Sequence, residues 1–477
     1  MRLGIQEERS TKEMSTVKKT SPVRSTRSAV TTVAAGFRDR LPGDASYWQA
    51  VSSKIQLLVE DYGFQNIDTP LVEDAKLYSV LKGTDFVVDQ LIAIQDPQER
   101  SLVLRPESLL AMARAYREHS FGNLPQPLKL SFLSPQFRAE PKVGSGSLWQ
   151  FTQFGCVVFG DPHPIVDAQL IAAYYFLFRE LHLDIRLHVN SLGHDVCRDT
   201  YQALLLDYFR AQRNALCDQC KEKLSAKQPL LLFSCQQAGC QDIIQSAPQI
   251  VDHLCDTDRE HFVKALEHLD EVDVEYMLDP RLIANTALYN RTVVKFIITP
   301  SDREPYSLAV GGHVDQLHNL VGGTVTPGFS MIAGLERIVL AMKENNVQLP
   351  PPPAPDVFIA QLGDAARRKS FQLFLKLRSE GIRASESLSK AGIKEQLENA
   401  TRLKAKFALI LGQEEIIDGT ILIRDMENGI QEVNSFDKVI PEVKRRLAKI
   451  APSTFVTTIP PATDVSAEAT QHQTPNS

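Results

Sequence analysis

Trp48, Val51, Ile55, Leu58, Val59 and Tyr62 recur at the three-to-four-residue spacing of a single helical face, and Gly63 follows them. The spacing predicts an amphipathic helix that stops at this glycine, the residue that most readily takes the left-handed turn after a helix end. Near the other end of the chain the pattern switches between short apolar runs and helical spacing. VFIAQL is followed by the helical ARRKSFQLFLKLRSE with Gly381 behind it, then IRASES, a second helix around GIKEQLENATRLK, and the apolar FALILG. This order predicts a small, mostly parallel sheet covered by helices. GTILIRD predicts one further strand, ENG a turn, and VKRRLAKI a basic terminal helix.

Between the two patterns lies a proline-rich stretch, 350–355, which favours an extended spacer and predicts a domain boundary. The expected organisation is a large unit at 36–349, the linker, a small α/β unit at 356–450 and two tails. Residues 1–35 hold seven Lys or Arg against three Glu without a helical or strand period. They are read as a disordered basic arm, with an organelle-targeting or RNA-touching segment as the other readings. Residues 451–477 have no Lys or Arg and few apolar side chains, and are read as a second disordered tail.

Composition narrows the function classes. With 477 residues and 43% hydrophobic content, the chain can build at least two packed cores. No apolar run is long enough to cross a membrane, so a cytoplasmic protein is expected. Seven cysteines, an odd number, suit a reducing compartment better than a disulfide framework. The net charge of -6 argues against a general polyanion binder, yet residues 356–450 hold 17 Lys or Arg against 14 Asp or Glu. The positive charge is therefore local, which suits a small module that meets RNA and equally an ordinary solvated surface.

Five segments stand in a fixed order: GFRDRLPGD at 36–44, YGFQNIDTPLVED at 62–74, LRPESLLAMARAY at 104–116, FRAEPKVGSGSLWQFTQFGCVVFG at 137–160 and PGFSMIAGLERIVLAM at 327–342. In this order and spacing they resemble histidyl-tRNA synthetase from residue 36 to 449. The resemblance implies an α+β class II aminoacyl-tRNA synthetase core, an antiparallel sheet with helices, interrupted by a mostly helical insertion at about 190–276. It also implies a C-terminal α/β anticodon-binding domain and a homodimer, with Thr69 and Pro70 matching the first class II motif at the dimer interface. The substrates it implies are ATP with Mg2+, histidine and tRNA.

Site residues follow by position. Joining a carboxylate to the α-phosphate of ATP brings two anions together, so a guanidinium must lie between them. Arg138 matches the family residue in that role. Glu140 resembles the acceptor for the adenine amino group, Phe151 the ring on which adenine stacks, and Arg337 the arginine that stabilises departing pyrophosphate. Glu107 and Gln153 match histidine-binding residues. Elsewhere the pocket is altered. Leu109 stands where the family has threonine, and Val157 where it has glutamate. The loop that in the family reads close to RGLDYYTRTVFE is ANTALYNRTVVK here, from Ala284 to Lys295. The family's catalytic arginine then falls on Ala284 and its first tyrosine on Leu288, while Tyr289 remains. The family's GGRYD is GGHVD, with His313 and Val314 at the changed places. Arg281 lies three residues before Ala284 and Arg291 seven after it, and strand alternation favours neither as a replacement. Two functions are left open: an ATP-dependent histidine-tRNA ligase, or a non-catalytic paralogue with a regulatory or tRNA-binding role.

Cys217, Cys220, Cys235 and Cys240 give C-x2-C-x14-C-x4-C within the insertion, a spacing compatible with structural zinc and also with free thiols packed in a small helical unit. Cys156, Cys197 and Cys255 are read as small buried apolar residues without partners.

Overall fold

A computed structural model describes residues 32–81, 90–139, 148–351, 353–387 and 392–449. Most of the basic arm, the tail at 451–477 and Glu140 lie outside these. The chain divides into two compact units, Met1–Leu349 and Pro350–Ser477.

The first unit is built on an eight-stranded sheet. In spatial order its strands are Gln65–Asn66, Leu128–Phe137, Gln150–Phe159, Gly328–Gly334, Tyr306–His313, Asn290–Ile298, Arg186–Ser191 and Met277–Leu278. Only the two outermost pairs are parallel. Because successive side chains on a strand point to opposite faces, each central strand feeds two cores. Phe154, Cys156 and Val158 pack with Phe329, Met331 and Ala333 on one face. The helices Ala45–Asp61, Pro164–Glu180 and Leu335–Glu344 cover that face. Val157, Phe159, Val293 and Ile332 fall on the other face, against the helix Leu109–Glu118. The site is built on this second face.

The helix expected before Gly63 runs from Ala45 to Asp61. Gly63 takes φ +70, and Phe64 N–H returns to Val59 O at 2.9 Å, which satisfies a carbonyl of the last turn.

Beside the main sheet, Val72–Asp74, Ser101–Leu104 and Ala93–Gln95 form a three-stranded sheet that the sequence reading did not separate. Arg105, at the end of one of these strands, is fully buried. Its guanidinium donates to Gln136 Oε1 at 3.1 Å, to Thr69 O and Oγ1 at 2.7 and 2.6 Å, and to Ser134 Oγ at 2.7 Å. This fork ties the small sheet to the Leu128–Phe137 strand. Lysine cannot reach all of these acceptors with one ammonium. Arg105→Lys is therefore expected to lower the stability of this unit by about 2–3 kcal/mol, because buried acceptors lose their partner. Denaturant unfolding checks it, and a loss under about 0.5 kcal/mol would mean that solvent replaces the lost donors.

An insertion with its own core separates two strands of the main sheet. Its helices are Asp195–Ala211, Asp218–Ser225, Ala238–Gln245 and Asp256–Asp270. The second unit has a five-stranded sheet in the order Ala384–Glu386, Val357–Gln361, Phe407–Leu411, Thr420–Asp425, Gln431–Ser435. The first three strands are parallel, as their alternation with helices predicts, and the last two are antiparallel.

Candidate active site

Four elements enclose a cavity of about 240 Å³, lined by Arg138, Phe151, Gln153, Ser307, Glu336 and Arg337 among others. Arg138 directly follows the Leu128–Phe137 strand, and its backbone N–H donates to Trp149 O at 2.8 Å across the hairpin. Its guanidinium carbon stands 4.7 Å from the centre of the Phe151 ring. Phe151 and Gln153 lie two residues apart on Gln150–Phe159 and so share a face. Gln153 Oε1 is buried and has no hydrogen-bond partner among the described residues, an acceptor that a bound ligand could satisfy.

Opposite Gln153, Gly334 ends its strand and the helix Leu335–Glu344 begins, which brings Arg337 to the cavity in the first turn. Arg337 Nη1 donates to Ser307 O at 3.0 Å. Glu336 accepts the Thr152 N–H on both oxygens at 2.9 and 2.8 Å and pairs with Arg40 at 3.3 Å. Burial pushes its pKa up. The structure thus brings Arg138, Phe151, Gln153 and Arg337 together around one space.

Glu107 lies within reach of the Arg138 charge. Its carboxylate accepts the N–H of Leu109 at 2.6 Å and of Leu110 at 3.0 Å and so caps the Leu109–Glu118 helix. Burial pushes its pKa up to about 7, although those two N–H groups and the charge of Arg138 pull the other way.

The altered positions other than His313, and the retained Tyr289, share one environment. Leu109, Val157, Ala284, Leu288 and Tyr289 are all buried in the same apolar cluster, together with Val314 and Ile332. Neither flanking arginine replaces the guanidinium expected at Ala284. Arg281 is half exposed and lies near Asp279 at 3.8 Å. Arg291 turns to Asp258 at 3.4 Å and Asp315 at 3.6 Å.

A cation that the sequence reading overlooked stands nearby. Lys295 is on the Asn290–Ile298 strand, two residues from Val293 and on the same face. Burial lowers its pKa, Asp279 opposes that, and the Arg337 charge lowers it further, so the two cations are electrostatic neighbours. The signal was in the loop itself, where ANTALYNRTVVK ends in lysine and the family segment ends in glutamate.

The sequence reading also missed the setting of His313. Its Nε2 lies 2.9 Å from Asp167 Oδ2 and 3.0 Å from His261 Nε2, while His261 Nε2 is 3.0 Å from the same Asp167 oxygen. His313 Nδ1 faces Asp315 Oδ1 at 3.3 Å. Burial disfavours a charged ring here, but Asp167 and Asp315 outweigh it and hold the His313 pKa up at about 10. Burial likewise opposes the Asp167 charge, and the two imidazoles outweigh it and hold its pKa well below the usual carboxylate range.

In the insertion, Cys217, Cys220, Cys235 and Cys240 converge, with their sulfurs all within 4.8 Å of one another. Cys156 is buried as expected, and burial pushes its thiol up to about 12. Cys197 and Cys255 differ from expectation, because they meet each other and His194. The Cys255 N–H donates to Cys197 Sγ at 3.2 Å, and Cys197 Sγ is 3.4 Å from His194 Nδ1.

A family model described as histidyl-tRNA synthetase matches residues 36–332, and one for the anticodon-binding domain matches residues 356–446. The chain is 35% identical over 424 residues to a histidine-tRNA ligase of Pelotomaculum thermopropionicum, covering 88% of this chain and 98% of that protein. It is 34% identical over 420 residues to a histidine-tRNA ligase of Desulforamulus reducens, covering 87% of this chain and 100% of that protein. Among solved structures, apo histidyl-tRNA synthetase of S. aureus superposes with a TM-score of 0.73 at 27% identity, over 87% of this chain and 100% of that one.

Proposed function

The chain belongs to the histidyl-tRNA synthetase family, and from that premise we propose that it binds ATP and tRNA but does not form histidyl-adenylate at a useful rate. One observation carries this reading: Leu109, Val157, Ala284, Leu288 and Val314 lie in one apolar cluster, where histidine recognition needs polar partners for an imidazole and an α-amino group. Of the polar partners, Glu107, Gln153 and Tyr289 remain, fewer than the resemblance implies for imidazole and α-amino recognition. The missing guanidinium at Ala284 also removes a charge aimed at the reacting phosphate, a change that typically slows such steps about 100- to 1000-fold.

ATP binding is supported by Arg138, Phe151 and Arg337 around one cavity. Mg2+ would enter with the phosphates. Glu336 is the one carboxylate among the described residues lining the cavity, and its oxygens are already engaged by Thr152 and Arg40, so phosphate oxygens and water would supply most of the metal's ligands. The tRNA role is supported by the anticodon-binding unit, where Lys404, Lys406, Arg445, Arg446 and Lys449 border a single groove. A homodimer in the cytoplasm belongs to the same reading.

Histidine-dependent ATP/pyrophosphate exchange tests it. The expected result is saturable ATP binding without exchange for histidine or any other amino acid; robust histidine-dependent exchange would sink it.

Lys295 stands opposite the cavity-lining Val310 on the neighbouring strand, and this favours a second reading, an active ligase in which its ammonium stands in for the lost arginine. In that case wild-type exchange is measurable, and Lys295→Met lowers it about 100-fold or more.

A further inference from the structure

We propose that Cys217, Cys220, Cys235 and Cys240 bind one zinc ion that holds the insertion together. The first pair brackets the start of the helix Asp218–Ser225, with Cys217 as its N-cap residue. Cys235 follows the short helix Pro229–Ser234, and Cys240 lies in the helix Ala238–Gln245. Elements from 18 and 23 residues away thus deliver sulfur to one point.

The spacing of the sulfurs identifies the arrangement. Cys217 Sγ and Cys235 Sγ are 3.8 Å apart, and all four lie within 4.8 Å of one another. Four thiolates at about 2.3 Å from a tetrahedral ion stand about 3.8 Å apart. Disulfides would instead sort the four into two pairs at about 2.05 Å. None of the seven cysteines is in a disulfide. The backbone adds donors aimed at sulfur: Cys217 N–H to Cys240 Sγ at 3.2 Å and Gln237 N–H to Cys235 Sγ at 3.5 Å. Such donors stabilise thiolate ligands.

Such a centre would also cross-link the insertion's short helices. Each of the two eight-residue helices buries only one cysteine and one aliphatic side chain, Cys220 with Leu224 and Cys240 with Ile244. Helices this short do not hold in water without tertiary support, and a metal held by sulfurs from three elements would tie them to one another within the insertion's core. Four sulfur ligands leave no open position, so the role is structural.

The other two groups of metal-binding residue types do not share this pattern. In one, Asp258 Oδ2 already accepts from His194 N at 2.8 Å and faces His194 Nδ1 at 2.7 Å, while its second oxygen faces Arg291. In the other, Asp167 bridges two imidazoles with Asp315 behind them. In each, a carboxylate oxygen already faces imidazole nitrogens, and neither group presents four sulfurs to one point.

The test is elemental analysis of the full-length protein purified without chelator, followed by titration of its thiols with a mercurial reagent in the presence of a zinc indicator. The expected result is about one zinc per chain, released in step with thiol modification. Cys220→Ser and Cys240→Ser should each lose the zinc and open the insertion to limited proteolysis, while Cys197→Ser keeps it. Wild-type protein from zinc-supplemented cells that contains no zinc overturns the proposal, whatever the folding of the variants. So does a zinc that survives both Cys220→Ser and Cys240→Ser and is lost from Cys197→Ser.

Discussion

Asp167→Ala is expected to destabilise the first unit by about 3–5 kcal/mol near pH 6, the usual consequence of removing one partner from a buried ion pair. Asp167 has no exposed surface, and its Oδ2 is the shared partner of His313 and His261. Without it, His313 must either stay charged in the core or give up its proton. The sign of the pH dependence follows from the shifts. The folded His313 pKa is about 10 against an ordinary 6.5, so its contribution is complete below about pH 6.5 and is lost as the pH rises through 10. The Asp167 pKa is depressed, so its contribution is complete above about pH 4 and is lost on acidification. Wild-type stability should therefore decline between pH 6.5 and 10, and the variant should lose most of that slope. Both tryptophans, Trp48 and Trp149, lie in the first unit, so fluorescence-detected urea unfolding reports on it selectively. A loss below about 1 kcal/mol at pH 6, or parallel pH profiles, would refute the buried ion-pair reading.

This network also shows where sequence reasoning stops. Asp167 sits in an apolar helix beside Ile165, Val166 and Ala168, and nothing local announces its partners, which lie 94 and 146 residues away. His313 was visible as an exception in GGHVD, but the sequence could not tell a pocket residue from a core ion pair. Arg105 was missed for the same reason, since its acceptors are backbone and side chains on other strands. By contrast, the Ala45–Asp61 helix and the alternating elements after residue 356 were legible, because their period alone decides which side is buried. The short helix Gln413–Asp418 escaped notice because it buries no side chain and so leaves no apolar period. At the candidate site, the order of the motifs brought Arg138, Phe151, Gln153 and Arg337 to one place. Lys295 was overlooked because attention fell on the arginines beside the gap rather than on the end of the same segment.

Arg337→Ala is expected to weaken ATP binding by about 10- to 150-fold, the effect of losing hydrogen bonds worth ~1.5–3 kcal/mol to a charged ligand. The size of the loss rests on geometry. Arg337 enters the cavity from the first turn of a helix, and its one hydrogen bond within the described residues goes to Ser307 O, so its removal leaves the surrounding core in place. The triphosphate would lose a forked donor that Lys295, a compact point charge, cannot imitate. Calorimetric titration with ATP at fixed salt measures this, with the unfolding midpoint as a control for intact structure. Nucleotide affinity and histidine activation are separable here. On the proposed function the phosphates would be gripped by Arg138 and Arg337, which remain, whereas activation would need polar partners at positions now held by Leu109, Val157 and Leu288 and a guanidinium at Ala284. An unchanged ATP affinity in Arg337→Ala would remove the cavity from consideration as the nucleotide site. A large loss of affinity, together with absent exchange in the wild type, would assign the chain to nucleotide binding without adenylation.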